Sequence, residues 1–423
     1  MCDTVPGELI LCFARIDEAA HNLVSLLRHK KIEHVEYCDS LEDRLLRMNL
    51  GMSRDPDFEL HRVRVPRDQE SWKATYLQFF YKQEMLKVIP KSPQQFMEIS
   101  SRSDYQFTVS PNHLLRVAGP ATGGPVSAKR FLFGKHHAQY KQSIGLPSAS
   151  LPNQNKIRVL LMDTGIAPDA PVPVSDRRNF VDSSNAQVVD DDHGHGTALA
   201  LLIHDLAPNA EFLVYKVADA TGRISEWDAL AGIVARSDAH VVNLSMQFGL
   251  LDKTNGCAVC GRESRASRSA VFENIVNQFV KRSPRPVVIA SAGNYRAQEL
   301  AYPARFGDVL AIGGITSRRV LSSDCNRGDK DQAGDPHRNH FVLPGGESDP
   351  AALEPILTSA GGRTWTGSSF ATGFASGLVA ELLSRSGTDQ FSFDMFVDTL
   401  RQTADKNLPN YSTADHGNGL MRA

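Results

Sequence analysis

Charge of one sign is not in excess in this chain. Its 46 Lys and Arg stand against 48 Asp and Glu, a net charge of −2 over 423 residues. That balance gives no basis for nucleic acid or an anionic membrane as a main partner. Long apolar runs are missing as well. No stretch approaches the roughly 20 apolar residues of a membrane span. The one apolar run near the N-terminus, "LILCFA", is too short for the core of a secretory leader and has no basic segment before it. Cysteine is sparse. The six cysteines are scattered, apart from Cys257 and Cys260, as expected in a reducing compartment. These absences predict an intracellular, cytoplasmic protein. Internal repeats and low-complexity tracts are not evident either.

What is present fits an ordinary globular chain, with 41% hydrophobic and 22% charged residues. The length suggests two or three domains at roughly 100–200 residues each. Residues 8–92 alternate compactly. "ELILCFA" (8–14), "IEHVEYC" (32–38), "FELHRVRV" (58–65) and "MLKVIP" (85–90) read as strands. Ala19, Leu23, Leu26 and Leu27 fall on one helical face, and Trp72, Tyr76, Phe79 and Phe80 on another. Strand, helix, strand, strand, helix, strand is the ferredoxin-like α+β order, and it predicts a small domain over 1–92. Residues 93–150, rich in Ser, Pro, Gly and Gln, read as a linker with short ordered pieces.

Over 151–423, near-continuous apolar runs at 157–163, 210–217, 239–246, 286–292 and 308–315 read as buried parallel strands. Helical patterns at roughly 196–206, 225–236, 267–282 and 370–385 accompany them. The expectation is an α/β domain: a doubly wound parallel sheet with helices on both faces and ligand sites at the carboxyl ends of its strands.

Three segments stand out at such places. "LLMDTGI" puts Asp163 at the end of the first strand. "GHGT" puts His195, and "GSSFATG" puts Ser369, at the start of a helix. Singly, each has an ordinary structural reading, such as an N-cap for the serine. Together they supply a hydroxyl, a base to take its proton and a carboxylate to orient that base.

In these motifs the chain resembles the subtilisin-like serine peptidases over about residues 140–400. That family's signatures are D-[ST]-G, H-G-T and G-T-S-M-A, and here they read "DTG", "HGT" and "GSSFA". A fourth element, "SAGN", ends in Asn294 at the place of the family's oxyanion-hole asparagine. The resemblance implies a subtilisin-like fold and a serine endopeptidase acting on protein or peptide substrates. In it Ser369 is the nucleophile, His195 the general base and Asp163 its orienting carboxylate. Asn294 and the Ser369 N–H would hold the oxyanion. It selects His195 over His193, which is left as a loop residue beside the site. It also implies substrate contacts at Ser245, Met246 and Gln247 and at Ala292 and Gly293. At Gln247 the family has glycine, so a side chain there would narrow the cleft or add a polar contact. Gly373 replaces a usual proline and predicts a less rigid helix start.

The N-terminal domain, by the same resemblance, acts as an intramolecular inhibitor of a zymogen, with self-cleavage in the linker. An accessory binding domain is the alternative. No cofactor is required. "DDD" (190–192) reads either as a calcium site or as a solvated acidic turn. "CAVC" (257–260) reads as a zinc site with Cys325 or His337, as a redox disulfide, or as surface thiols. For the whole chain, an active peptidase stands beside a catalytically idle binding module and an acyl-transfer or ligase activity.

Overall fold

The computed structural model describes residues 4–13, 33–36, 59–64, 107–117, 126–146, 155–235, 238–248, 269–281, 285–328, 339–386 and 393–423. The chain divides into two compact units. One comprises Met1–Leu115, Ser225–Ser237 and Gly249–Gln278, and the other Arg116–Ile224, Asp238–Phe248 and Phe279–Ala423.

In the first unit, strands β1 (Thr4–Phe13), β2 (Glu33–Glu36), β3 (Glu59–Arg64) and β4 (Phe107–Val117, its last two residues in the second unit) pair antiparallel. Their order is β4-β1-β3-β2, that of the ferredoxin-like unit. Leu11 lies opposite His61 on one side and Val109 on the other. The first three strands fall where the alternation places them. The strand expected at 85–90 and the two amphipathic helices lie outside the described residues. The strand beside β1 is Phe107–Val117, in the stretch read as linker. Its Pro111 disguises it, since proline inside a run argues against a strand. Pro111 pairs with Leu9, next to a register shift between Thr4 and Leu9.

The second unit is built on a seven-stranded sheet. Its strands are β5 (Ile157–Asp163), β6 (Val174–Asn179), β7 (Ala210–Lys216), β8 (Val241–Leu244), β9 (Val287–Ser291), β10 (Leu310–Ile315) and β11 (His340–Pro344). They lie in the order β11-β10-β9-β8-β5-β7-β6, and every pairing is parallel. This is the doubly wound α/β arrangement. The inner strands are Val, Ile and Leu runs because both of their faces are covered. The sequence reading did not single out β6 and β11, the two edges. "VSDRRN" alternates half-buried and exposed residues, as an edge strand does.

From β5 the chain crosses on one side to the edge strand β6 and returns through β7, which lies beside β5. From β8 it winds outward on the other, to β9, β10 and β11. Winding therefore reverses between β5 and β8, the place where such sheets open a crevice at their carboxyl ends. Helix α1 (His195–Leu206) and helix α2 (Ser368–Ser386) pack on each other. Helix α2 also lies against β8, β9, β10 and β11. Its residues 368–381 are buried all round, so it reads as small and apolar rather than amphipathic. Leu199, Leu202, Ile203, Phe370, Phe374 and Leu378 join the strands in one core. Among the described residues, no helix is long and apolar enough to cross a membrane.

Candidate active site

Asp163 is the last residue of β5 and is buried. One of its carboxylate oxygens accepts the N–H of Thr164 at 2.8 Å. The same oxygen and its partner lie 2.8 and 3.0 Å from Nδ1 of His195. A carboxylate facing Nδ1 fixes the tautomer: the proton sits on Nδ1, and Nε2 is left as an acceptor. That Nε2 is buried and has no hydrogen-bond partner.

His195 is held by the turn that begins α1. The Thr164 hydroxyl accepts the Gly196 N–H at 2.9 Å, tying the helix start to the aspartate's turn. A Cβ on Gly196 would lie 2.2 Å from the Gly165 carbonyl oxygen, so this approach requires glycine. Below it, the buried carboxylate of Asp191 accepts the N–H groups of His193 (3.0 Å), Gly194 (2.7 Å) and Thr197 (2.9 Å), and the Thr197 hydroxyl (2.6 Å). Asp191 thus satisfies donors that a helix N-terminus leaves open. The reading of "DDD" as a solvated acidic turn is corrected here: only Asp190 is exposed, and Asp192 lies 3.4 Å from Lys216 Nζ. His193 precedes the helix, as expected of a loop residue, but it is buried, with its ring 6.2 Å from that of His195.

Ser369 is the second residue of α2 and is 1% exposed. The His195 ring stands 5.5 Å from the ring of Phe370, the next residue along. The Ser369 hydroxyl donates to the backbone carbonyl of Ser245 at 3.3 Å, and the Ser245 hydroxyl donates back to the Ser369 carbonyl at 3.0 Å. Ser245 follows β8, on the other side of the reversal point from Asp163.

Asn294 follows β9. Its Oδ1 accepts the backbone N–H of Ser368 at 2.8 Å and the Ser368 hydroxyl at 2.9 Å. Because a backbone N–H only donates, the atom facing it is the carboxamide oxygen, and the NH₂ points the other way. The loop around Asn294 is clamped from two sides. Gln247 Oε1 accepts the Asn294 N–H at 3.2 Å. The Asn326 side-chain oxygen accepts the N–H groups of Tyr295 (2.8 Å) and Ala297 (3.1 Å), while the Asn326 backbone N–H donates to the Gly293 carbonyl at 2.9 Å. Ala292 donates to Ile312 in β10 and accepts from Ala301. The Met246 carbonyl accepts the Ser291 hydroxyl at 3.3 Å. Gln247 thus makes a polar contact to the backbone of Asn294.

Of the residues the sequence reading singled out, the structure joins Asp163 to His195, sets the His195 ring beside that of Phe370, the neighbour of Ser369, and joins Asn294 to Ser368 and to Gln247. The sequence reading missed Asp191 as a cap and Asn326 as a clamp. Cys257, Cys260 and His337 lie outside the described residues. Cys325 is buried beside the Asn326 clamp, and burial pushes its thiol up to about 12, leaving it neutral and inert as a nucleophile. Among the described residues, no group of three or more His, Cys, Asp or Glu could hold a metal ion.

Residues 73–419 match the model of the subtilase family. The chain is 26% identical over 278 residues to alkaline elastase YaB of Bacillus sp. (strain YaB), an alignment covering 63% of each protein. It thus spans less than two thirds of that relative's length. It is 27% identical over 291 residues to a protein named intracellular serine protease from Paenibacillus polymyxa, covering 63% of this chain and 78% of that one. In fold it is similar to the epidermin leader peptide processing serine protease of Staphylococcus aureus, with a TM-score of 0.64, 16% identity, and coverage of 98% of this chain and 96% of that one.

Proposed function

The chain belongs to the subtilase family, and we propose that it is a serine endopeptidase that cleaves protein or peptide substrates through an acyl-enzyme on Ser369. The observation that carries this reading is His195. Its Nδ1 is held by the Asp163 carboxylate and its Nε2 is buried without a partner, at the start of the helix packed on the one that begins with Ser368 and Ser369. In the reaction the Ser369 hydroxyl leaves the Ser245 carbonyl and gives its proton to His195 Nε2 while Oγ attacks the substrate carbonyl. Asp163 stabilises the imidazolium. The Asn294 NH₂ and the Ser369 N–H receive the developing oxyanion. His195 then protonates the leaving amine as the C–N bond breaks, and water hydrolyses the ester. Asn294→Ala lowers kcat for a peptide ester by about 10²–10³-fold with a smaller change in KM. That is the usual loss when one oxyanion donor is removed, subtilisin being the measured case. A change under threefold would contradict the assignment.

We also propose that the N-terminal segment holds the enzyme latent, as in a zymogen. Burial of the nucleophile supports this. So does the anchoring of Val117 on Gly222 (3.0 Å) and Val126 on Asp191 (3.1 Å), next to the elements that carry His193 and His195. Labelling of Ser369 by a fluorophosphonate accelerates tenfold or more once the 93–150 segment is nicked; an unchanged rate refutes latency. Scattered cysteines and the similarity to a protein named as intracellular support a cytoplasmic location. The second reading, an idle binding module, has in its favour the Ser369 hydroxyl resting on Ser245 rather than on His195. It predicts no labelling in either form.

A further inference from the structure

Gln247 does more than hold a loop. Strands β8 and β9 are neighbours, with Leu244 opposite Ala290, and the segments that leave them, 245–248 and 291–294, both reach the turn carrying Ser369. A substrate carbonyl must sit within reach of Ser369 Oγ, with its oxygen toward the Asn294 NH₂ and the Ser369 N–H. The gap between the two segments lies beside that position, since each is bonded to the turn that carries Ser369. In this chain the gap is occupied. The Gln247 side chain is 5% exposed and crosses it to accept the Asn294 N–H at 3.2 Å. Its Oε1 lies 2.7 Å from where a Cβ on Gly293 would stand, and Asn326 Nδ2 lies 2.4 Å from the same point. Gly293 itself has φ +109, so neither glutamine nor asparagine is pushed back by a side chain there. The Ser291 hydroxyl on the Met246 carbonyl holds the two segments at this separation.

Resting on the peptidase reading, we propose that the side chain of the residue whose carbonyl Ser369 attacks enters this gap, that Gln247 is the specificity-determining residue there, and that the attacked residue must be small: glycine, alanine or serine. The chain's own sequence between its anchors at Val117 and Val126, A-G-P-A-T-G-G-P, contains no side chain larger than proline or threonine.

The test measures second-order rates at which peptide diphenyl phosphonates phosphonylate the full-length chain, read by intact mass. Each event forms an Oγ–P bond and releases one phenol. Reagents ending in alanine and in leucine are compared in the wild type, Gln247→Gly and Gln247→Ser. The wild type reacts tenfold or more faster with the alanine reagent, and in both variants the ratio falls to near one or inverts. Both reagents use the same oxyanion donors, so a general weakening of the site leaves the ratio where it was. An alanine-to-leucine ratio near one in the wild type, or an unchanged ratio in the variants, overturns the inference alone. Labelling of no protein by any reagent, a small fluorophosphonate included, overturns the peptidase reading and the inference with it.

Discussion

Asp191→Ala tests what holds the turn that carries His195, the proposed general base. The carboxylate accepts three buried backbone N–H groups, those of His193, Gly194 and Thr197, at 2.7–3.0 Å, and the Thr197 hydroxyl at 2.6 Å. Alanine removes every acceptor at once. A stranded buried donor costs about 1–3 kcal/mol, so three of them set a floor of about 3 kcal/mol. At about 2–4 °C per kcal/mol for a large domain, Tm falls by about 6–12 °C. Asp191→Asn is the sharper variant. Its one oxygen still serves His193 and Gly194, but its NH₂ now faces the Thr197 N–H. The Thr197 hydroxyl oxygen already accepts the Ala167 N–H at 2.9 Å, which limits rearrangement. The Thr197 N–H and hydroxyl, two of the four donors, lose their acceptor, which gives about half the alanine penalty. Urea denaturation followed by tryptophan fluorescence measures both, since the Trp365 ring lies 6.1 Å from that of His195. An Asp191→Ala penalty below about 1 kcal/mol, or an Asp191→Asn penalty equal to it, would refute the reasoning.

Two glycines of α2 make a contrasting pair. A Cβ at Gly377 would lie 2.6 Å from Leu206 Cβ, an atom no rotamer change can move, so Gly377→Ala forces the two helices apart and destabilises by about 1–3 kcal/mol. At Gly373 the nearest atoms are the mobile tips of Leu199 and Leu202, at 2.9 and 3.1 Å, so Gly373→Ala stays within about 1 kcal/mol of the wild type. Equal Tm shifts for the two would contradict this. Burial, with Arg158 alongside, pulls His240 down to about 4, and its Nδ1 accepts the Arg158 N–H at 2.9 Å. Between about pH 6.5 and 4 the unfolded chain binds the extra proton. Stability is therefore complete above 6.5 and declines as pH falls through that window. His240→Asn keeps an acceptor for Arg158 and flattens the decline in pH-dependent denaturation by up to one proton; an unaltered slope would show that His240 is not its source.

Much of the candidate site was legible because the proposed chemistry dictates residue types in short motifs: an aspartate ending a strand, and a histidine and a serine opening helices. The inner strands were legible for a related reason, since burial on both faces leaves unbroken apolar runs. What stayed hidden depends on contacts far along the chain or on side-chain direction. Asp191 reads as one of three solvated acids until the turn folds its carboxylate under the helix start. Asn326 lies 32 positions beyond Asn294 and meets its loop only through the fold. Gln247 stands out in sequence as a departure, but that it reaches back to the Asn294 N–H is a matter of rotamer. Phe107–Val117 is disguised by Pro111, and the edge strands by polar, half-exposed residues.

The most direct test of the central claim is intact-mass analysis after fluorophosphonate treatment of the full-length wild type and of Ser369→Ala. One adduct is expected on the wild type, mapped to Ser369 and abolished by His195→Ala, and none on Ser369→Ala. An unlabelled wild type that stays unlabelled after the 93–150 segment is nicked, or an adduct that persists on Ser369→Ala, would contradict that claim.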